Sequence, residues 1–342
     1  MTHDHHHETG GQSRHRHKYP TRHDHSHGIV DPSIATTTDG LWAVKWSFVV
    51  LMITALLQVA VVVVSGSVGL LADTVHNFGD AATAIPLGIA FLFARKRSNR
   101  RFTFGYGRVE DLAGATIVFV ILFSAIVAGY ESIDRLFHPQ DVSHLWAVAV
   151  ASVIGFLGNE GVAVFRIRVG RRIGSAALIA DGQHARVDGW TSLAVLFGVF
   201  GVWLGYPLAD PIAGLIITIA IFGIVVQSGK QVFSRMLDGV EPHVIDEIRH
   251  AAAHVAAVKE VTDIRARWIG HRLHTEVNVT LPSQITLAAA HTVAEEVRHQ
   301  LLHRLKYLSL VVIHVDPEEK SGERHHRIEK HTHDGLPAHS HA

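Results

Sequence analysis

The 342-residue sequence contains no cysteine, and only 18% of its residues are charged, with Lys+Arg and Asp+Glu equal at 31 each. The missing cysteine excludes disulfide frameworks, thiol catalysis and thiolate zinc sites. Soluble domains carry about 25% charged residues. The shortfall here, with 48% apolar residues and a mean hydropathy of +0.21, points to a membrane. Without a net basic excess there is no charge footprint for phosphate backbones, so nucleic acid is not an expected partner. The residue in excess is histidine, with 28 copies.

Histidines crowd the two ends. His3, His5, His6, His7, His15, His17, His23, His25 and His27 stand in the first 28 residues, and six more fall between His325 and His341. Neither end has an apolar run, which excludes a signal peptide at the N-terminus and predicts disorder in both tails. Interspersed with Asp, Ser, Arg and Thr, these histidines read as metal-gathering tails rather than as a purification tag. The organisation expected is a His-rich tail over 1–40, a membrane domain over 41–230, a second domain over 231–318 and a second His-rich tail over 319–342.

Six apolar runs have about the 20 residues that span a bilayer: Trp46–Val64, Val68–Ala94, Leu112–Tyr130, Leu145–Phe165, Ser175–Tyr206 and Pro211–Gly229. An even number returns both termini to one side. Ten basic residues follow the second and fourth runs (Arg95, Lys96, Arg97, Arg100, Arg101, Arg108, Arg166, Arg168, Arg171, Arg172), against Arg135 alone on the opposite side. The positive-inside rule then predicts cytoplasmic termini. The basic loop after the second run is expected to contact anionic headgroups, which attract each Lys or Arg by about 1 kcal/mol.

Within the apolar runs one pattern repeats. Leu70–Asp80 reads LLADTVHNFGD and Leu178–Asp188 reads LIADGQHARVD, sharing A-D-x-x-H-x-x-x-D. Spacings of three and four put Asp73, His76 and Asp80 on one helix face, and Asp181, His184 and Asp188 on another. The two helices run antiparallel, so His76 should lie level with Asp188, and Asp80 with His184. A carboxylate at a helix centre costs about 2.5–3.5 kcal/mol to insert even on a lenient scale. A four-ligand N/O cage for zinc, whose binding in peptide sites is worth about 10–16 kcal/mol, would offset that. The alternative is a buried His–Asp network that only holds helices together. Asp73 and Asp181 are open to either helix packing or the lining of an ion path.

These paired H-x-x-x-D helices, the loop Arg101–Glu110 reading RFTFGYGRVE, the six spans and the C-terminal segment resemble the cation diffusion facilitators, zinc efflux transporters that exchange metal for protons. The resemblance covers roughly Trp42–Glu318. It implies transport-site ligands at His76, Asp80, His184 and Asp188, a homodimer, and Zn2+ as transported substrate and regulatory ion without an organic cofactor. It also implies a charge contact from the RFTFGYGR loop to the segment after the sixth helix, here Arg108 with Asp238.

Glu241–Pro317 is soluble by composition. Helical periodicity over Val244–Ala256 and Leu287–Leu305, with alternation over Val261–Trp268, His274–Leu281 and Leu308–Val315, predicts helix, two strands, helix, strand. The expected fold class is therefore a six-helix membrane protein carrying a small α+β C-terminal domain. The resemblance identifies that domain as the ferredoxin-like, metallochaperone-like cytoplasmic unit of the family and places possible metal ligands at His291, His314 and Asp316. Asn278 stands where many relatives have a strand histidine; His274 and Glu276 share its strand face as substitutes. The loop Arg95–Glu110 contains no histidine, so no loop metal site is expected.

Protonation supplies a mechanism. Histidine must be neutral and carboxylates ionised to hold metal, so cytoplasmic metal displaces protons and outside protons displace metal. The expected function is proton-coupled efflux of a divalent metal across a bacterial inner membrane, with the bilayer, protons and a second copy of the chain as partners. Two other classes are a membrane-bound metal sensor or buffer and an intramembrane metalloenzyme. The latter lacks the open coordination position and the H-E-x-x-H pattern expected of it.

Overall fold

The structure is a computed structural model that describes residues 32–65, 84–137, 144–206, 208–305 and 307–322. The histidines of both tails lie outside these residues, as does the segment 66–83 with Asp73, His76 and Asp80, whereas residues 32–40, expected to belong to the N-terminal tail, are the first turns of a helix. Six apolar helices are described: α1 (Pro32–Ser65), α2 (Ala84–Ala94), α3 (Arg108–Phe137), α4 (Leu145–Ile173), α5 (Ala176–Trp203) and α6 (Ala209–Met236). All but α2 have the length and composition to cross a membrane, and α2 is the described part of the run Val68–Ala94. The chain is an integral multi-pass membrane protein.

These helices overshoot the apolar runs. At 1.5 Å per residue, the 30 residues of α3 and 29 of α4 reach about 45 Å, beyond a hydrocarbon core of about 30 Å. The basic segment Arg166–Arg172, expected to follow the fourth span, is therefore its last two turns. Apolar length reports lipid thickness, and arginine, a good helix former, continues the helix past it.

Among the described residues, buried faces join the membrane helices in four clusters, of which two are large. Ile117, Val118 and Ile121 of α3 meet Ile221, Val225 and Val232 of α6 and Val187 of α5. Val44 of α1, Leu87 and Phe91 of α2, Ile173 of α4 and Leu178 of α5 form the other.

The C-terminal domain follows as α7 (Pro242–Ala253), β1 (Glu260–Ile269), β2 (Arg272–Leu281), α8 (Leu287–Arg304) and β3 (Leu308–Pro317), in the expected order. The sheet order is β1-β2-β3, with β2 antiparallel to β1 and parallel to β3. One sheet face is covered by Ile248 of α7 with Val297 and Leu301 of α8, which pack on Trp268, Val277 and Val279. The opposite face carries Arg265, Arg267, His274, Glu276, Leu310 and Val312 around a cleft.

Candidate metal centre

The corner between α4 and α5 sets the depth of the motif side chains. Gly174 closes α4 with φ 74°, and Ser175 caps α5 by accepting the Leu178 N–H through its side chain at 3.0 Å. Past the corner the two backbones run in close contact. A Cβ on Gly170 would lie 3.0 Å from the Ile179 nitrogen, and one on Gly182 would lie 3.0 Å from the Ile167 nitrogen. Small residues permit this approach where apolar lipid tails give packing no hydrophobic advantage.

From this seam α5 carries its motif inward. His184 and Asp188 stand nine and thirteen residues beyond Ser175, about 14 and 20 Å along the axis. Both are buried, with His184 Nδ1 3.9 Å from Asp188 Oδ1. The bundle buries other polar side chains too: Gln58 of α1 donates to the Ala151 carbonyl of α4 at 3.2 Å, and Asn159 and Ser152 of α4 are enclosed. His76 and Asp80, the other half of the expected cage, lie outside the described residues. Among the described residues no group of three or more potential ligands converges.

The third motif residue of α5 is held in an ion pair. Asp181 Oδ2 lies 2.9 Å from an Arg166 guanidinium nitrogen, both side chains almost wholly enclosed. Arg166, expected among the charges after the fourth span, instead points into the bundle across the glycine seam. A second ion pair lies deeper, where Arg186 donates through Nε and Nη2 to the two Glu160 oxygens at 3.2 and 2.9 Å. Sequence reading missed this pair, although Glu160 interrupts an apolar run and Arg186 stands between His184 and Asp188.

In the C-terminal domain His291, His314 and Asp316 line one cleft of about 460 Å³ with Leu281, Ile285 and Ile313. His314 Nε2 is 2.9 Å from Asp316 Oδ1, whereas His291 is turned to Glu295 at 3.5 Å. Asn278 pairs with His314 in the sheet register. His274 and Glu276 occupy the separate cleft on the open sheet face with Phe104. Four residues along a strand is about 13 Å. His274 therefore does not replace Asn278 beside His314.

Comparison with known proteins decides the family. The model of the cation efflux transmembrane domain matches residues 44–237, and that of the cation efflux protein cytoplasmic domain matches residues 240–318. The chain belongs to the cation efflux family, the cation diffusion facilitators. It is 51% identical over 320 residues to the probable cation efflux system protein Rv2025c of Mycobacterium tuberculosis (strain ATCC 25618 / H37Rv), spanning 93% of this chain and 96% of that protein. Magnetosome protein MamB of Magnetospira sp. (strain QH-2) is 25% identical, over 75% of this chain and 87% of its own length. Metal tolerance protein C1 of Arabidopsis thaliana is 26% identical, over 74% and 57%. Among solved structures, a MamM C-terminal domain is 21% identical with a TM-score of 0.22, covering 22% of this chain and 95% of that one. Members of the family are transporters of divalent metal cations, not enzymes.

This cation efflux protein joins its two parts through the β1–β2 turn. Gly270 holds φ 62°, and a Cβ there would come within 2.8 Å of Glu110 Oε2 and the Gly107 carbonyl. His271 follows, with Nδ1 2.6 Å from Glu110 Oε2 and Nε2 3.0 Å from Thr37 Oγ1. Glu110 Oε1 accepts the Ser175 hydroxyl at 2.5 Å. One rim of the joint is Arg235, which donates to the Gly174 carbonyl and, at 3.0 Å, to Glu241, while lying 4.1 Å over the Trp268 ring. Burial acts to raise the Glu241 carboxyl, but the Arg235 guanidinium and hydrogen bonds including that from the Trp268 indole outweigh it and hold the group below the usual carboxylate range. The expected contact is present at the other rim, where Arg108 donates to Asp238 and, at 3.2 Å, to the Arg235 carbonyl.

Proposed function

We propose that this chain exports Zn2+ from the cytoplasm in exchange for protons, through a site formed by His76, Asp80, His184 and Asp188. The observation that carries the reading is the placement of His184 and Asp188, one turn apart and buried deep in α5. An imidazole and a carboxylate so placed are half of a tetrahedral N/O set, and the repeated H-x-x-x-D of residues 76–80 supplies the other half in kind and spacing. Borderline nitrogen and oxygen donors suit zinc over the harder magnesium and calcium.

Exchange follows from the ligands themselves. Each imidazole must lose its proton to bind, and each carboxylate must be ionised, so metal entry releases protons and proton entry releases metal. Both termini face the cytoplasm in this reading, by the bias of basic residues on that side, and the membrane is a bacterial inner membrane. The protein works as a homodimer, a state supported by the match of its C-terminal domain to the family's dimerisation module. His291, His314 and Asp316 then offer a regulatory Zn2+ site in a shared cleft. The His-rich tails collect metal at the cytoplasmic mouth.

The test is Zn2+-driven proton movement in proteoliposomes carrying a pH-sensitive dye. His184→Ala and Asp188→Ala are each expected to abolish it while the protein still inserts and purifies as wild type. Wild-type flux in either variant overturns the ligand assignment; zinc flux without proton movement overturns the antiport.

A further inference from the structure

Two pairs of histidines belong to neither the membrane centre nor the cleft of His314. At the end of α7, His250 and the C-cap residue His254 are one turn apart with ring centroids separated by 4.1 Å and planes crossing at 63°. On α8 the arrangement recurs with His299 and His303, at 4.4 Å and 71°. All four side chains are exposed. The i,i+4 spacing places both rings of each pair over the same patch of helix surface.

His254 is also oriented as metal-binding histidines are. Its Nδ1 donates to the His250 carbonyl oxygen at 2.8 Å. That bond fixes the proton on Nδ1 and leaves the Nε2 lone pair directed away from the backbone, the arrangement by which protein sites hold an imidazole ligand in place. A carboxylate precedes each pair by one turn, Glu247 before His250 and Glu295 before His299, which adds negative charge for a cation.

We propose that His250 with His254, and His299 with His303, are two surface chelating ports for divalent transition cations of the Zn2+, Ni2+ and Cu2+ class. Two imidazoles select these ions over Mg2+ and Ca2+, which prefer oxygen ligands. Water completes each shell, so the ions exchange readily. The ports bind metal whether or not the α5 motif carries transport.

Because the chain has many other histidines, the test must resolve single residues. Full-length protein in detergent is treated with diethyl pyrocarbonate with and without Ni2+ or Zn2+, and modification is read by peptide mass spectrometry. Either ion is expected to lower modification of His254 and His303 several-fold, and Mg2+ to leave it unchanged. His250→Ala should remove protection at His254 and keep it at His303; His299→Ala should do the reverse. Both positions are exposed and alanine favours helix, so these variants fold. Equal modification with and without Ni2+ and Zn2+, or protection of His254 that survives His250→Ala, overturns the proposal.

Discussion

His271 and Glu110 meet at 2.6 Å, each side chain only 1% exposed, at a point where the β1–β2 turn enters the membrane helices. The contact links residues 161 apart in sequence and is backed on both sides, by Thr37 beyond the imidazole and Ser175 beyond the carboxylate. Four elements, α1, α3, the α4–α5 corner and the C-terminal sheet, therefore share one enclosed polar cluster.

Removing the carboxylate should loosen that joint. Glu110→Ala leaves the His271 ring and the Ser175 hydroxyl buried without their acceptor, and a buried unsatisfied polar group costs about 1–3 kcal/mol. The expected result is a lower thermal midpoint of the full-length protein in detergent. His271→Ala should lower it as well, and the double variant should lose less than the two losses added together, because the residues act on one another. Strict additivity would show that the two groups are energetically independent.

The second prediction concerns Arg166 and Asp181. Losing one member of a buried ion pair costs about 3–5 kcal/mol, because the other charge stays buried alone, whereas replacing both with apolar groups is often neutral. Arg166→Leu and Asp181→Leu are each expected to reduce the yield and unfolding midpoint sharply. The double Leu variant should recover most of the loss in a denaturant unfolding series. A double variant as unstable as the worse single variant would mean that each charge has other essential partners.

How far these features could be read in advance depends on the kind of signal. Helix positions were legible because a bilayer imposes a length on apolar runs, and the strands of the C-terminal domain because alternation tracks one covered face. Helix ends were not. Arg166 looked like a charge following a span, since nothing local distinguishes an arginine at the membrane surface from one turned inward to Asp181 on the next helix. Asp181 was visible as part of the repeat, but its partner was not. The Glu110–His271 joint had fainter traces, an acidic pair opening an apolar run and a glycine before a histidine in a strand turn. Strand alternation correctly put His274 on the face of Glu276 yet could not show that its cleft is separate from that of His314. Which cleft a strand residue enters depends on what packs over the sheet.

The third prediction is a pH dependence at His274. Burial pushes this imidazole down to about 4 from its ordinary 6.5, and the guanidiniums of Arg267, Arg272 and Arg108 act in the same direction. The ring lies in the cleft with Phe104, whose own face is covered by Arg267 at 4.7 Å. In the unfolded chain the group titrates near the ordinary value. Between about 4 and 6.5 the unfolded state therefore binds a proton that the native state refuses, and stability rises with pH across that window and is flat above it. His274→Gln removes the titrating group while keeping a polar side chain of similar reach. Unfolding midpoints of the full-length protein, measured against pH, should fall less steeply for this variant than for wild type below 6.5 and run parallel above it. Equal slopes in the acid window would mean that His274 accepts its proton in the folded protein as easily as in the unfolded one, and that its guanidinium neighbours do not oppose the charge.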